Sequence, residues 1–309
     1  MFQTPILFLI FNRPEPTIQV FSVIKKIKPK YLFIAADGPR RNKEGEQDLC
    51  DKSRSIIKQI DWDCEVKTLF REENLGCGKA VSESITWFFE HVEHGIILED
   101  DTLPDITFFT FCEELLEKYK NDNRVGQIAG NNFGILNPEL AQYSYLFTKY
   151  VSIWGWATWK RAWNYYDFDI SLYSSDLDSI KDMMKNEFTD NELKHRLNIL
   201  EIMSKKGMDT WDYQWMFCNL VQNMMTIIPT TNLITNIGFG EDATHTTKKD
   251  SKISNLSIKS MKFPLKHPDF IYRSENYESQ LNKEIRTSIN SNSFLSSFKN
   301  KIKQIINRK

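Results

Sequence analysis

The sequence predicts an α/β protein with a mostly parallel central sheet flanked by helices. Three observations predict it. Segments of strand length recur at residues 6–11, 31–36, 65–70 and 96–98, and all but 65–70 are apolar runs. The segments between them carry apolar residues at helical spacing. The connections are short and punctuated by Gly, Pro, Asn and Asp, so strand, helix and strand follow one another directly, the pattern of parallel pairing. The 309 residues allow one large domain or two modest ones, with a substantial core.

Residues 6–11 form the first strand. Their hydrophobicity is that of a signal-peptide core, but no basic lead-in or small-residue cleavage site accompanies them, and Asn12-Arg13-Pro14 ends the run as a turn. Residues 17–27 place Val20, Ile24 and Ile27 on one helical face, and Pro29 stops that helix. The second strand, 31–36, ends in the turn Asp37-Gly38-Pro39. A charged helix over 44–60 leads to the third strand, 65–70. The loop that follows contains Gly76-Cys77-Gly78-Lys79. It has neither the spacing of a P-loop nor the third Gly of a dinucleotide fingerprint. It reads either as a plain helix start or as a close backbone approach with Lys79 reaching a phosphate. Val81, Ile85, Phe88 and Val92 then mark a helix before the fourth strand.

That strand runs into Glu99-Asp100-Asp101. In open α/β sheets ligands bind beyond the carboxyl ends of the strands. On an extended backbone Glu99 and Asp101 point the same way. Two hard oxygen donors there suit Mg²⁺ or Mn²⁺ held jointly with a ligand's phosphates; a solvated turn is the simpler alternative. Arg13, Asp37 and Lys79 fall at the same strand ends, so one binding rim is expected. Thr102 is placed to cap the next helix, with Pro104 in its first turn.

After Asp101 the pattern changes. A helix is expected over 108–119, and strands over 125–129 and 145–152. Trp154, Trp156 and Trp159 around Gly155 suggest a packed wall with one close backbone approach; such rings either line a pocket or fill a core. Residues 171–206 read as polar helix with Leu193, Leu197 and Leu200 on one side. Asp209-Thr210-Trp211-Asp212 opens another helix, where Asp212 is either a cap or a catalytic carboxylate. Short strands follow at 225–229 and 233–235, then a Gly-rich loop ending in His245. Beyond Ser274 no core pattern is visible until Leu295, Phe298, Ile302 and Ile305, which with five basic neighbours form an amphipathic helix. That helix suits an anionic membrane surface or the protein's own body. The expected division is therefore 1–273 as the main domain and 274–309 as a C-terminal extension.

Composition narrows the classes. A net charge of −1 argues against broad nucleic-acid binding. The five cysteines are scattered and form no CxxC pair, which suits reduced thiols in a cytoplasmic protein. Only His91 and His94 lie close together, without a nearby cysteine, so structural zinc is not expected. No apolar run has the length of a membrane span.

Several segments, in order, resemble nucleotide-sugar glycosyltransferases of the GT-A type. They are Asn12-Arg13, Asp37-Gly38, Asn74-Leu75-Gly76, Leu98-Glu99-Asp100-Asp101, Trp154-Gly155-Trp156, Trp211-Asp212 and Gly238-Phe239-Gly240 through His245. The likeness is to the GlcNAc-transferase family that starts complex N-glycan branching and to its bacterial sugar-transferase relatives. It covers roughly residues 5–250. The resemblance implies a GT-A, Rossmann-like domain and metal-dependent, inverting transfer from a UDP-sugar to a glycan or lipid-linked acceptor. It implies Asp101 as ligand of Mn²⁺ or Mg²⁺, Glu99 and Asp100 at the sugar and ribose, and Arg13 and Asp37 at the nucleoside and diphosphate. His245 falls near the diphosphate, Trp154, Trp156 and Trp211 on the acceptor side, and Asp212 as the base. The family has two successive Asp between its Trp residues, whereas Tyr213 and Gln214 follow Asp212 here, so Asp209 is a second candidate base. The Asn-, Lys- and Ile-rich composition and the missing signal make a bacterial cytoplasmic enzyme the expectation, with its last helix either peripheral at the inner face of the membrane or docked on the protein itself. Two other classes compete. A sugar-1-phosphate nucleotidyltransferase would carry a Gly-rich basic signature after the first strand, where Asn12-Arg13-Pro14-Glu15-Pro16 stands. A carbohydrate-binding module would use the Trp cluster but leave the acidic strand end unexplained.

Overall fold

The computed structural model describes residues 1–136, 141–171, 176–205, 208–238 and 256–290, with side chains described as far as residue 284. The first half follows the expected alternation. Strand β1 (Ile6–Ile10), helix α1 (Pro14–Ile27), strand β2 (Tyr31–Ala36), helix α2 (Glu46–Arg54), strand β3 (Glu65–Phe70), helix α3 (Cys77–His91) and strand β4 (His94–Glu99) succeed one another. They pair in the order β3-β2-β1-β4, all parallel, the arrangement of one half of a Rossmann-type sheet. β1 and β4 are near-continuous Ile/Leu/Phe runs because helices cover both faces. Helix α1 buries Val20, Phe21 and Ile24, each contributing about 1.5–3 kcal/mol of apolar burial. The charged helix over 44–60 is shorter than expected, giving way to a 3₁₀ turn, Ser55–Gln59.

The second half is where the structure departs from local pattern. Thr102 does not cap a helix. Thr102–Pro104 is a short strand, β5, and the Thr102 hydroxyl bonds back to Glu99, accepting from its N–H at 2.9 Å and donating to its carbonyl at 3.0 Å. Helix α4 (Thr107–Lys118) starts instead behind Asp105, whose carboxylate accepts from the Thr107 N–H. Strands β6 (Val125–Ala129) and β7 (Tyr145–Thr148) follow; β7 stops four residues short of the expected end. The Trp segment holds strand β8 (Trp156–Trp159), which leads into helix α5 (Lys160–Trp163). β8 lies antiparallel between β4 and β6.

Described residues 176–205 hold helices α6 (Leu177–Glu187) and α7 (Asp190–Ser204). Helix α8 (Asp212–Val221) and strands β9 (Met225–Pro229) and β10 (Ile234–Asn236) complete the body. The eight-stranded sheet has the order β3-β2-β1-β4-β8-β6-β9-β7, and β10 pairs with β5 in a separate ribbon. Because β8 is antiparallel to both β4 and β6, and β9 is parallel to β6, strands β1, β2, β4, β6 and β9 all end on one rim. The chain after Ser274 is more ordered than its composition suggests. Helix α9 (Glu275–Asn290) buries Tyr277 and Leu281 against Tyr150 and Ile228. The basic segment with Leu295, Phe298, Ile302 and Ile305 lies outside the described residues. Among the described residues no helix is long and apolar enough to cross a membrane, and none of the five cysteines is in a disulfide.

Candidate active site

Arg13 leaves β1 and enters α1 at its N-cap. Its guanidinium turns to the turn after β4. Nη1 reaches Asp101 Oδ2 at 2.9 Å, while Nη2 pairs with Asp100 Oδ1 and Nε with Oδ2. Asp100 is 3% exposed. Glu99 ends β4 and the chain turns at Asp100 and Asp101, which share one cation, with Glu99 to one side. Among the described residues nothing hydrogen-bonds the Glu99 carboxylate. Burial holds its pKa well above the ordinary carboxylate range, Asp101 and Asp100 add to that, Arg13 partly offsets it, and the charge of Asp212 adds a further push. Burial likewise moves Asp100 up to about 6 against the pull of Arg13. One guanidinium thus faces three carboxylates, with a fourth within electrostatic reach across 113 residues of sequence.

This imbalance makes a prediction. The native state grips the Glu99 proton more tightly than the unfolded chain does, so ionising Glu99 costs stability as pH rises through and above the usual carboxylate range. Glu99→Gln is expected to raise the melting temperature of the free protein at neutral pH, and the gain is expected to disappear below about pH 4. Melting curves of both proteins across pH test this; a gain that did not depend on pH would show that packing rather than charge was relieved.

Asp212 is the first residue of α8, half-buried, and accepts a hydrogen bond from the Thr210 hydroxyl. Gln214 donates to the Thr210 carbonyl at 2.9 Å. Asp209, the other candidate base, is engaged differently. Its carboxylate accepts the N–H of Cys77 at 3.1 Å and of Gly78 at 2.7 Å, capping α3. Asp37 accepts from the N–H of Gly38, Leu75 and Gly76 and from the Asn74 side chain. Four successive N–H groups, 75 to 78, are therefore taken by two protein carboxylates. The Gly76–Lys79 run is closed to a phosphate at its backbone, and Asp37 locks a loop rather than presenting a free carboxylate. Gly76 (φ +82°) tolerates no side chain, since a Cβ would stand 2.7 Å from Asp209 Oδ2. Lys79 is exposed, with no ion pair among the described residues.

The aromatic assignments divide. Trp156 and Trp211 are 0% and 2% exposed and stack on each other at 5.7 Å. With Trp215 and Trp163 they fill the core on one face of the sheet, so neither has a face to offer an acceptor. Trp154 is half-buried against Phe133 and remains on the rim side of Gly155. His245 lies outside the described residues.

Two features carry roles that the sequence did not show. Glu46, on the charged helix α2, is 1% exposed and accepts from Asn12, from the Arg40 backbone and from the Arg40 side chain. The Arg40 bond, against a smaller penalty from burial, draws its pKa down to about 2. Gly238 sits directly on the Arg13–Asp101 pair, where any Cβ would collide with Asp101 Oδ2. Nothing local distinguishes a locked glutamate from a surface one, and the Gly-rich segment around Gly238 marks the glycine without showing what it sits on.

Among the described residues no three His, Cys, Asp or Glu side chains form a metal cage. The converging donors are nonetheless hard oxygens, and the Glu99 carboxylate is not used in any hydrogen bond described. Such a set fits Mg²⁺ or Mn²⁺ bound by one or two carboxylates with phosphate oxygens completing the shell.

No protein-family profile and no curated protein sequence matches the chain. Solved structures resemble it distantly. One from Bacillus anthracis, described as a glucose-1-phosphate thymidylyltransferase in complex with sucrose, is 8% identical over 52% of this chain and 73% of that one, with a TM-score of 0.32. HddC from Yersinia pseudotuberculosis is 10% identical over 52% and 78%, with a TM-score of 0.31. S. aureus TarS 1–349 is 9% identical over 52% and 48%, with a TM-score of 0.35. The class of protein is therefore defined by the sheet itself: an α/β, Rossmann-like fold with an acidic, arginine-bridged rim at its carboxyl edge.

Proposed function

We propose that the chain is a GT-A type glycosyltransferase that moves a sugar from a UDP-sugar to a hydroxyl of a glycan or lipid-linked acceptor, with inversion. The observation that carries this reading is the convergence of Glu99, Asp100 and Asp101 around Arg13, with the charge of Asp212 reaching Glu99. In this reading Asp101, with Glu99 beside it, holds Mn²⁺ or Mg²⁺ together with the diphosphate. The ion would offset charge on the departing diphosphate. Arg13 orients Asp100 and Asp101 and keeps the rim from carrying three uncompensated charges. Asp212, steadied by Thr210, takes the proton of the acceptor hydroxyl as its oxygen bonds to the anomeric carbon and the bond to the diphosphate breaks. Asp209 is the weaker base candidate because both its oxygens cap α3. Trp154 is the acceptor-side ring.

Thermal-shift screening of nucleotide sugars with Mn²⁺, followed by product analysis, tests the proposal. Stabilisation by a UDP-sugar and release of UDP support it. Release of pyrophosphate would make the enzyme a nucleotidyltransferase instead, and sugar binding without UDP affinity would make it a binding module. Asp101→Ala is expected to abolish transfer and the Mn²⁺-dependent part of UDP binding; unchanged turnover in that variant would remove the metal from the reaction.

A further inference from the structure

Between the body and helix α9 the chain crosses the surface as a pinned strap. The Lys259 N–H donates to the Asn232 carbonyl and the Met261 N–H to Thr107 Oγ1. Ser144 and Lys266 exchange two bonds at 2.8 and 2.9 Å, and the Ser274 N–H donates to the Phe147 carbonyl. The side chains alternate in role. Met261 and Leu265 are each 6% exposed and anchor the strap in the main core. Lys262, Phe263, Lys266, Phe270 and Tyr272 face solvent. Phe270, at 75%, is the most exposed large apolar side chain described, and Tyr272 is 59% exposed. Leaving these rings in water forfeits burial that the fold elsewhere achieves for its aromatics.

We propose that residues 262–272 are an interfacial anchor that seats the protein on an anionic bilayer. Exposed Phe and Tyr rings on a strap held by backbone bonds partition into the headgroup region. The interleaved lysines complement a negative surface. Residues 259–272 carry three lysines and one aspartate, a local charge of +2 in a chain of net −1. A second copy of the chain is a poorer occupant, because a two-fold contact would set these lysines against themselves. The strap is already ordered by its backbone bonds, so seating it costs little conformational entropy. This assignment does not depend on the chemistry of the acidic rim or on the basic segment 295–309.

The full chain is tested by flotation with vesicles of phosphatidylcholine alone and with about one third phosphatidylglycerol. Binding to the anionic vesicles, weakened by salt, is expected. Phe270→Ser with Tyr272→Ser is expected to lower it at least about tenfold, and Lys262→Gln with Lys266→Gln to lower it on anionic vesicles. The exposed positions leave the fold intact, which a melting curve checks. Absence of vesicle binding overturns the proposal. So does wild-type binding by the aromatic variant, which would place the contact elsewhere. Self-association in sedimentation that the aromatic variant abolishes, without vesicle binding, would assign the strap to a second copy and equally overturn it.

Discussion

Asp212→Asn is expected to lower turnover by about a hundredfold or more while leaving UDP binding and the melting temperature nearly unchanged. The substitution keeps shape, helix position and the capacity to accept from Thr210, so the fold has no reason to change. It removes only the ability to accept a proton, and a positioned base supplies roughly two to four orders of magnitude. Steady-state kinetics with the donor found by screening, alongside calorimetric UDP binding, would separate the two effects. Turnover within about tenfold of wild type would take the base role away from Asp212. Asp209 would not inherit it easily, because losing its carboxylate also uncaps α3, which costs about 1 kcal/mol of stability.

The second large effect concerns stability. Arg13→Met is expected to cost about 2–4 kcal/mol, because it leaves Asp100 buried without its charge partner. The guanidinium is 22% exposed, so water recovers part of the full penalty. Combining it with Asp100→Asn is expected to restore much of the loss, since the orphaned charge is then gone. Urea denaturation of the single and double variants measures both. A loss below about 0.5 kcal/mol for the single variant would mean that the pair is solvated, not buried.

Much of the parallel half was legible in the sequence, and β2 and β3 fall on their expected boundaries. β1, β2 and β4 are short apolar runs bounded by residues that stop them, and the turns are written in Pro, Gly, Asn or Asp. The helix of the first βα unit is likewise readable because Val20 and Ile24 repeat at its own period. β8 was not legible. Trp156–Trp159 has no alternation, because both faces of that strand are covered, and its neighbours β4 and β6 come from distant parts of the chain. Thr102 misled for a related reason. A Thr followed by Pro is a local helix signal, but pairing of β5 with β10, which lies 130 residues on, outcompetes it.

The site shows the same division. The acids and the arginine could be placed at strand ends from the sequence, because a strand's direction and its terminal residue are local properties. What they do to one another could not. Arg13 meets Asp100 across 87 residues, and Asp209 meets Gly78 across 131. Asp37 and Asp209 look alike in the sequence to Asp101 and Asp212, yet the fold spends the first two on closing a loop and leaves the latter two at the rim.

By itself, then, the chain's order of residues determined which segments become strands and helices in its first half and on which edge the charged groups gather. Only the tertiary structure decided which carboxylate is paired and which caps a helix. The reason is physical: element formation follows periodicities a few residues long, whereas charge pairing and burial are set by distances in space that sequence separation does not encode.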